Sequence, residues 1–250
     1  MSQPHFDGTL YCLHGFLGRS LDWDAVIPAH LKKVALDLFS SAPQSRPSLD
    51  LVSFPEVVNQ AAQVEKRPRV LVGYSLGGRI ALHALVSDPK SWSGAVIISA
   101  HPGLSDLSEK ATRKMKDEDW AQSFETESWG ELMTRWNSQA VFEGSEPRQR
   151  IEAEFSRRSL AEALRTCSLG VQRDLRPEIR SLNIPILWVV GEQDQKFLGL
   201  ARDVAQLNPL VDLEVLPGAT HRAPWDRPDD FARCLDNFFG RIRRGESSVS

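Results

Sequence analysis

The stretch that most constrains this chain is "RVLVGYSLGGRIALHAL", residues 69–85, where a strand-like apolar run passes through Gly73-Tyr74-Ser75-Leu76-Gly77 straight into a helix-like segment. A serine between two glycines at a strand-to-helix junction can be held on a sharp, strained turn. The glycines let neighbouring backbone pass closely while the hydroxyl stays exposed. The competing reading is a glycine-rich turn with an idle serine. The strand-then-helix context favours a nucleophile-type elbow.

Similar apolar, β-branched runs recur at 9–13, 34–38, 94–100, 185–191 and 213–218. They are continuous rather than alternating, the pattern of strands covered on both faces. Helix-like segments at 54–66, 76–87, 199–207 and 228–243 separate most of them. This alternation predicts an α/β architecture, a mostly parallel sheet flanked by helices. The rhythm breaks between 101 and 180, where three segments, 106–124, 128–142 and 146–168, repeat their apolar residues at helical spacing. The expectation is a core formed by 1–100 and 181–250, with 101–180 as a helical cap inserted between core strands. Such a cap would cover the carboxyl edge of the sheet, where open α/β sheets bind ligands. The tail, 243–250, is expected to fray.

Composition removes several classes of partner. A net charge of −3 favours neither nucleic acid nor an anionic membrane surface. The amino terminus lacks a basic segment followed by an apolar one, so no signal peptide is expected. No apolar run approaches the ~18 residues of a membrane span. Cys12, Cys167 and Cys234 form neither a CxxC nor an even set. Cys12 and Cys234 read as buried thiols, consistent with a cytoplasmic protein.

A serine hydroxyl needs a base, and the base needs an acceptor to fix its tautomer. Glu192-Gln193-Asp194 follows one apolar run and Ala219-Thr220-His221 follows the next. The order serine, acid, histidine makes Ser75, Asp194 and His221 the candidate catalytic set. Glu192 is the rival acid, and a loop histidine can equally be solvated. His5, His30 and His83 read as structural or exposed. An oxyanion hole needs backbone N–H groups aimed at developing charge. Leu76 is one candidate, and Phe16, in the loop "LHGFLG" set up by His14-Gly15, is the other. The alternative for that loop is a plain glycine turn.

Beyond the elbow, "HGFLG" (14–18), "GYSLGGR" (73–79), "HPGL" (101–104), "SLGVQRDLR" (168–176) and "GEQDQKF" (191–197) resemble the family of 2-succinyl-6-hydroxy-2,4-cyclohexadiene-1-carboxylate (SHCHC) synthases, within the α/β-hydrolase superfamily. The resemblance runs from about residue 10 to 240. It implies the α/β-hydrolase fold and a lyase of menaquinone biosynthesis. That lyase eliminates pyruvate from 2-succinyl-5-enolpyruvyl-6-hydroxy-3-cyclohexene-1-carboxylate without cofactor or metal. Ser75 would act as a base rather than an acylating nucleophile. The implied substrate is a small polycarboxylate, which suits the planar donor fork of arginine.

Arg79 lies four residues after Ser75, one helical turn along, so it can face the same pocket. An ungapped match from "HPGL" places Arg113 on the family's carboxylate-binding arginine and Trp136 on a pocket aromatic. Tyr74 matches another pocket residue. Arg158 matches a second cap arginine after a short deletion, with Arg157 as its rival. Segment 101–180 carries 13 Lys and Arg against 15 Asp and Glu, so surface charge alone accounts for most of its arginines. Two stretches depart from the family: 36–48 lacks the usual Gly-His-Gly, and "HRAPWDRP" (221–228) lacks a second histidine. Both are expected to alter substrate choice. A serine hydrolase working through an acyl-enzyme on an ester, thioester or C–C bond is the alternative reading. A binding or sensor protein without catalysis is a third, disfavoured by the complete Ser-Asp-His set.

Overall fold

A computed structural model describes residues 6–39, 49–64 and 68–244. His5, the tail beyond 244 and most of the departing 36–48 stretch lie outside the described residues. Among the described residues six strands form one sheet: β1 (Thr9–Leu13), β2 (Lys32–Leu36), β3 (Arg69–Tyr74), β4 (Gly94–Ile98), β5 (Ile186–Gly191) and β6 (Val211–Leu216). Their spatial order is β2-β1-β3-β4-β5-β6, and every pairing is parallel. Parallel strands need crossovers. These are supplied among others by α1 (Ser53–Ala62), α2 (Leu76–Ser87) and α7 (Gln195–Leu207).

The continuous apolar runs are explained by a core on each face. Tyr11, Leu13, Leu71, Ile97 and Trp188 point one way, toward α1, α2 and α7. Leu10, Cys12, Val70, Val96 and Leu187 point the other way, toward a turn of 3-10 helix at Ser20–Ala25 and the closing helix.

The segment between β4 and β5 carries α3 (Leu107–Thr126), α4 (Trp129–Asn137), α5 (Arg157–Thr166) and α6 (Arg176–Ser181). No strand occurs in it, and Phe124, Leu132 and Leu160 join the same apolar cluster as α1 and α2. After β6 come α8 (Ala223–Asp226) and α9 (Pro228–Arg244).

Several boundaries differ from the expectation, each for a physical reason. β2 begins two residues early, at Lys32, because it is an edge strand whose lysines reach water. β6 likewise starts at Val211, paired with Ile186, its Asp212 and Glu214 being tolerated on the opposite edge. α7 begins immediately after Asp194, four residues before its apolar periodicity shows. Residues 146–151 are not helical: Pro147 removes a donor and disfavours helical geometry before it. Cys12 is buried as expected, whereas Cys234 is only half-buried.

Candidate active site

The sheet brings four chain-distant segments to one edge. Ser75 follows β3 with φ +51°, a left-handed backbone for a residue with a side chain. The turn is tight enough that a Cβ on Gly73 would meet the Cα of Gly78 at 2.7 Å and the Cβ of Ala81 at 2.8 Å. Gly73 is therefore required by packing rather than by its own dihedral angles.

His221 lies on the loop after β6, its ring buried. Its Nδ1 is 2.6 Å from an oxygen of Asp194, and its Nε2 is 3.1 Å from the Ser75 hydroxyl. A carboxylate can only accept, so Nδ1 donates, and Nε2 is left to accept from the serine. Phe197, Tyr74 and Phe142 surround the imidazole at 4.5, 5.6 and 6.0 Å between centroids. Glu192, the rival acid, is exposed and accepts instead from the backbone N–H of Gly218.

Loop 14–18 abuts the serine. The buried His14 donates from Nδ1 to the Gly15 carbonyl and accepts from the Leu38 N–H at Nε2, both at 2.8 Å. A Cβ on Gly15 would lie 2.8 Å from the Tyr74 ring and 3.5 Å from the Ser75 Cβ. Leu76 opens α2, so its N–H has no acceptor within the helix. The Phe16 ring packs against Phe39, Phe124 and Trp136.

Above Ser75 is a cavity of about 780 Å³. Tyr74, Arg79, Arg113 and Trp136 all line it, together with Ser75 and His221. Arg79 is held by the Gln172 side chain at 3.0 Å and the Cys167 carbonyl at 2.6 Å. Burial, then the neighbouring Arg113, push its guanidinium down to about 10. Arg113 gives its Nε to both oxygens of Asp117, at 2.8 and 2.9 Å, leaving its terminal NH2 groups for other partners. Trp136 packs edge-to-face with Trp120 at 4.9 Å and tilted against Phe16 at 4.8 Å. Burial raises the Tyr74 phenol above its usual range.

The second cap arginine is a correction. Arg158 is exposed and does not line the cavity, because α5 turns Leu160, Ala161 and Leu164 inward and so faces residue 158 to water. Its rival Arg157 is spent on structure. It donates to the carbonyls of Phe124 and Glu127 at the carboxyl end of α3 and to Glu152. The arginines that do reach the cavity, and that the sequence reading missed, are Arg148, Arg150 and Arg222. Arg222 sits in the departing "HRAPWDRP" stretch, the one signal that pointed toward it. Among the described residues no three His, Cys, Asp or Glu side chains form a metal-binding group, and no helix is long and apolar enough to cross a membrane.

Comparison with known proteins narrows this arrangement. The Alpha/beta hydrolase family pattern matches residues 10–234. An Escherichia coli O1:K1 protein, 2-succinyl-6-hydroxy-2,4-cyclohexadiene-1-carboxylate synthase, is 33% identical over 230 residues, covering 88% of each chain. The Serratia proteamaculans protein of the same name is 32% identical over 243 residues, covering 92% of each. The solved structure of MenH from S. aureus covers 96% of each chain with a TM-score of 0.85 at 21% identity, a likeness of fold. The chain therefore belongs to the alpha/beta hydrolase family and, within it, to the 2-succinyl-6-hydroxy-2,4-cyclohexadiene-1-carboxylate synthases.

Proposed function

We propose that this chain eliminates pyruvate from 2-succinyl-5-enolpyruvyl-6-hydroxy-3-cyclohexene-1-carboxylate to give SHCHC, as a cytoplasmic enzyme of menaquinone synthesis. The observation that carries the reading is the Ser75–His221–Asp194 hydrogen-bond chain opening into a cavity with Arg79 and Arg113 on its wall. Family membership supplies the substrate class.

In this reading His221 accepts the Ser75 proton, and Asp194 steadies the imidazolium that forms. The serine oxygen then takes a proton from the substrate ring. A ring double bond forms, the carbon–oxygen bond to the enolpyruvyl group breaks, and the departing enolate is protonated to pyruvate. General-base catalysis of this kind contributes roughly 10²- to 10⁴-fold. The N–H groups of Phe16 and Leu76 would stabilise the oxyanion that develops as the ring proton leaves. Arg79 and Arg113 hold carboxylates, while Trp136 and Tyr74 pack on the apolar ring. Segment 101–180 acts as the cap that excludes water over it.

The test is to supply the enolpyruvyl intermediate and follow pyruvate against its spontaneous release. Acceleration that depends on Ser75 supports the reading. No acceleration, with a nitrophenolate burst from a nitrophenyl ester, would replace it with acyl transfer.

A further inference from the structure

The cavity has a second cationic wall, away from Arg79 and Arg113. Three segments build it: the 3-10 turn containing Asp22, residues 148–150 before α5, and the Arg222–Trp225 stretch after His221. Arg150 meets both Asp22 carboxylate oxygens, at 3.0 and 2.6 Å, a bidentate pair that satisfies this acid. Arg222 is also committed, donating to the Glu146 carbonyl and to the Asn137 side chain and lying over the Phe142 ring.

Arg148 differs. Its guanidinium stacks 4.2 Å over the Trp225 ring, and its one ionic contact among the described residues is a 3.3 Å approach to an Asp22 oxygen already taken by Arg150. Its remaining donors engage no acceptor among the described residues, although three-quarters of the side chain is shielded from water (25% exposed). A shielded guanidinium with unspent donors is costly unless an anion completes it.

The charge balance agrees. Arg148, Arg150 and Arg222 face two carboxylates, Asp22 and Asp226, and Asp226 is bonded to the Thr220 N–H and hydroxyl. The wall therefore carries a surplus positive charge. It also connects to the reacting groups. Trp225 is fixed by a hydrogen bond to the Asp22 carbonyl and packs edge-on against Tyr74 at 4.9 Å, and Tyr74 lies against His221 at 5.6 Å. The charged neighbours acting on Arg148 are Asp22, Arg150 and Arg222, whereas those acting on Arg79 are Arg113 and Asp117. There are two separate poles.

We infer that Arg148, stacked on Trp225, is a carboxylate-binding and specificity-determining residue, holding one carboxylate of the substrate while Arg79 and Arg113 hold another. The inference rests on the synthase reading above and deepens it: the ring is stretched between two guanidinium poles with Ser75 beneath. A dianion of the right length satisfies both poles, and a monoanion satisfies one.

Equilibrium titration calorimetry with SHCHC tests this, using the acid and the monomethyl ester of each of the two carboxylates in its name. Arg148→Met is expected to weaken binding of the diacid at least tenfold. It should weaken by less than twofold the one ester whose blocked carboxylate is the partner of Arg148. KM should rise by a similar factor, with kcat within about threefold of wild type. Arg148→Lys, which keeps a point charge and protects against loss of fold, should weaken the diacid at least threefold. Wild-type affinity in both variants, or equal losses for the diacid and both esters, overturns the inference alone. A wild-type protein that binds no SHCHC overturns the synthase reading with it.

Discussion

Gly77, two residues after the serine, lies against the carbonyl oxygen of Leu13, so close that any Cβ at position 77 would overlap it and the neighbouring His14 carbonyl. These atoms are backbone at the end of a central strand and cannot swing aside. The second glycine of the elbow is therefore what lets α2 dock on β1. Gly77→Ala is expected to destabilise the protein by about 3 kcal/mol or prevent folding, read as a lowered denaturant midpoint. An unchanged midpoint would mean that the elbow shifts freely.

Ser75→Ala removes the hydroxyl from a turn tip without opening a core cavity. Pyruvate release should fall by at least ~10²-fold, with the thermal midpoint little changed. Asp194→Asn should also lower kcat strongly, since an amide can donate to Nδ1 and impose the wrong tautomer on His221. Full activity in either variant removes the proposed roles.

Arg113 and Arg158 should part company. Arg113→Ala removes a cavity guanidinium whose side chain is 39% exposed, so solvent screening moderates its worth. KM is expected to rise about tenfold, equivalent to ~1.4 kcal/mol. Arg158→Ala, on the outward face of α5, should leave KM unchanged. Equal effects in steady-state kinetics would contradict the geometry described above.

Acid should destabilise the fold through two buried imidazoles. Burial, then nearby cations, push His101 down to about 3 and His83 down to about 4. His101 Nδ1 accepts from the Gly103 N–H at 3.0 Å, a bond that protonation would abolish. Unfolded histidine titrates near ~6.5, so below that pH the unfolded chain binds protons that the folded chain refuses. Stability is therefore full above about 6.5 and falls as the pH drops toward 4. His101→Asn, which keeps an acceptor, should flatten the slope of thermal midpoint against pH. An identical slope would place the acid sensitivity elsewhere.

Much of this protein was legible before folding, because its local chemistry repeats what its fold needs. Doubly covered parallel strands must be continuously apolar, so "LVGY" and "ILWVVG" announced the sheet. An elbow serine must be flanked by small residues, and an acid and a histidine past strand ends must meet at the same edge. Ser75, Asp194 and His221, the candidates read that way, lie in hydrogen-bond contact at that edge, and Arg79, one turn along α2, lines the same cavity. What the sequence could not rank was its arginines. Arg113, Arg148, Arg157, Arg158 and Arg222 look alike in a chain whose 101–180 segment is not even basic. Tertiary packing alone decided that α5 turns Arg158 to water, that Arg157 spends its donors on the end of α3, and that Arg148 stacks on Trp225 in one wall of the cavity. A guanidinium is long and flexible and can serve as cap, salt bridge or ligand. Only the partners that folding brings within reach determine which.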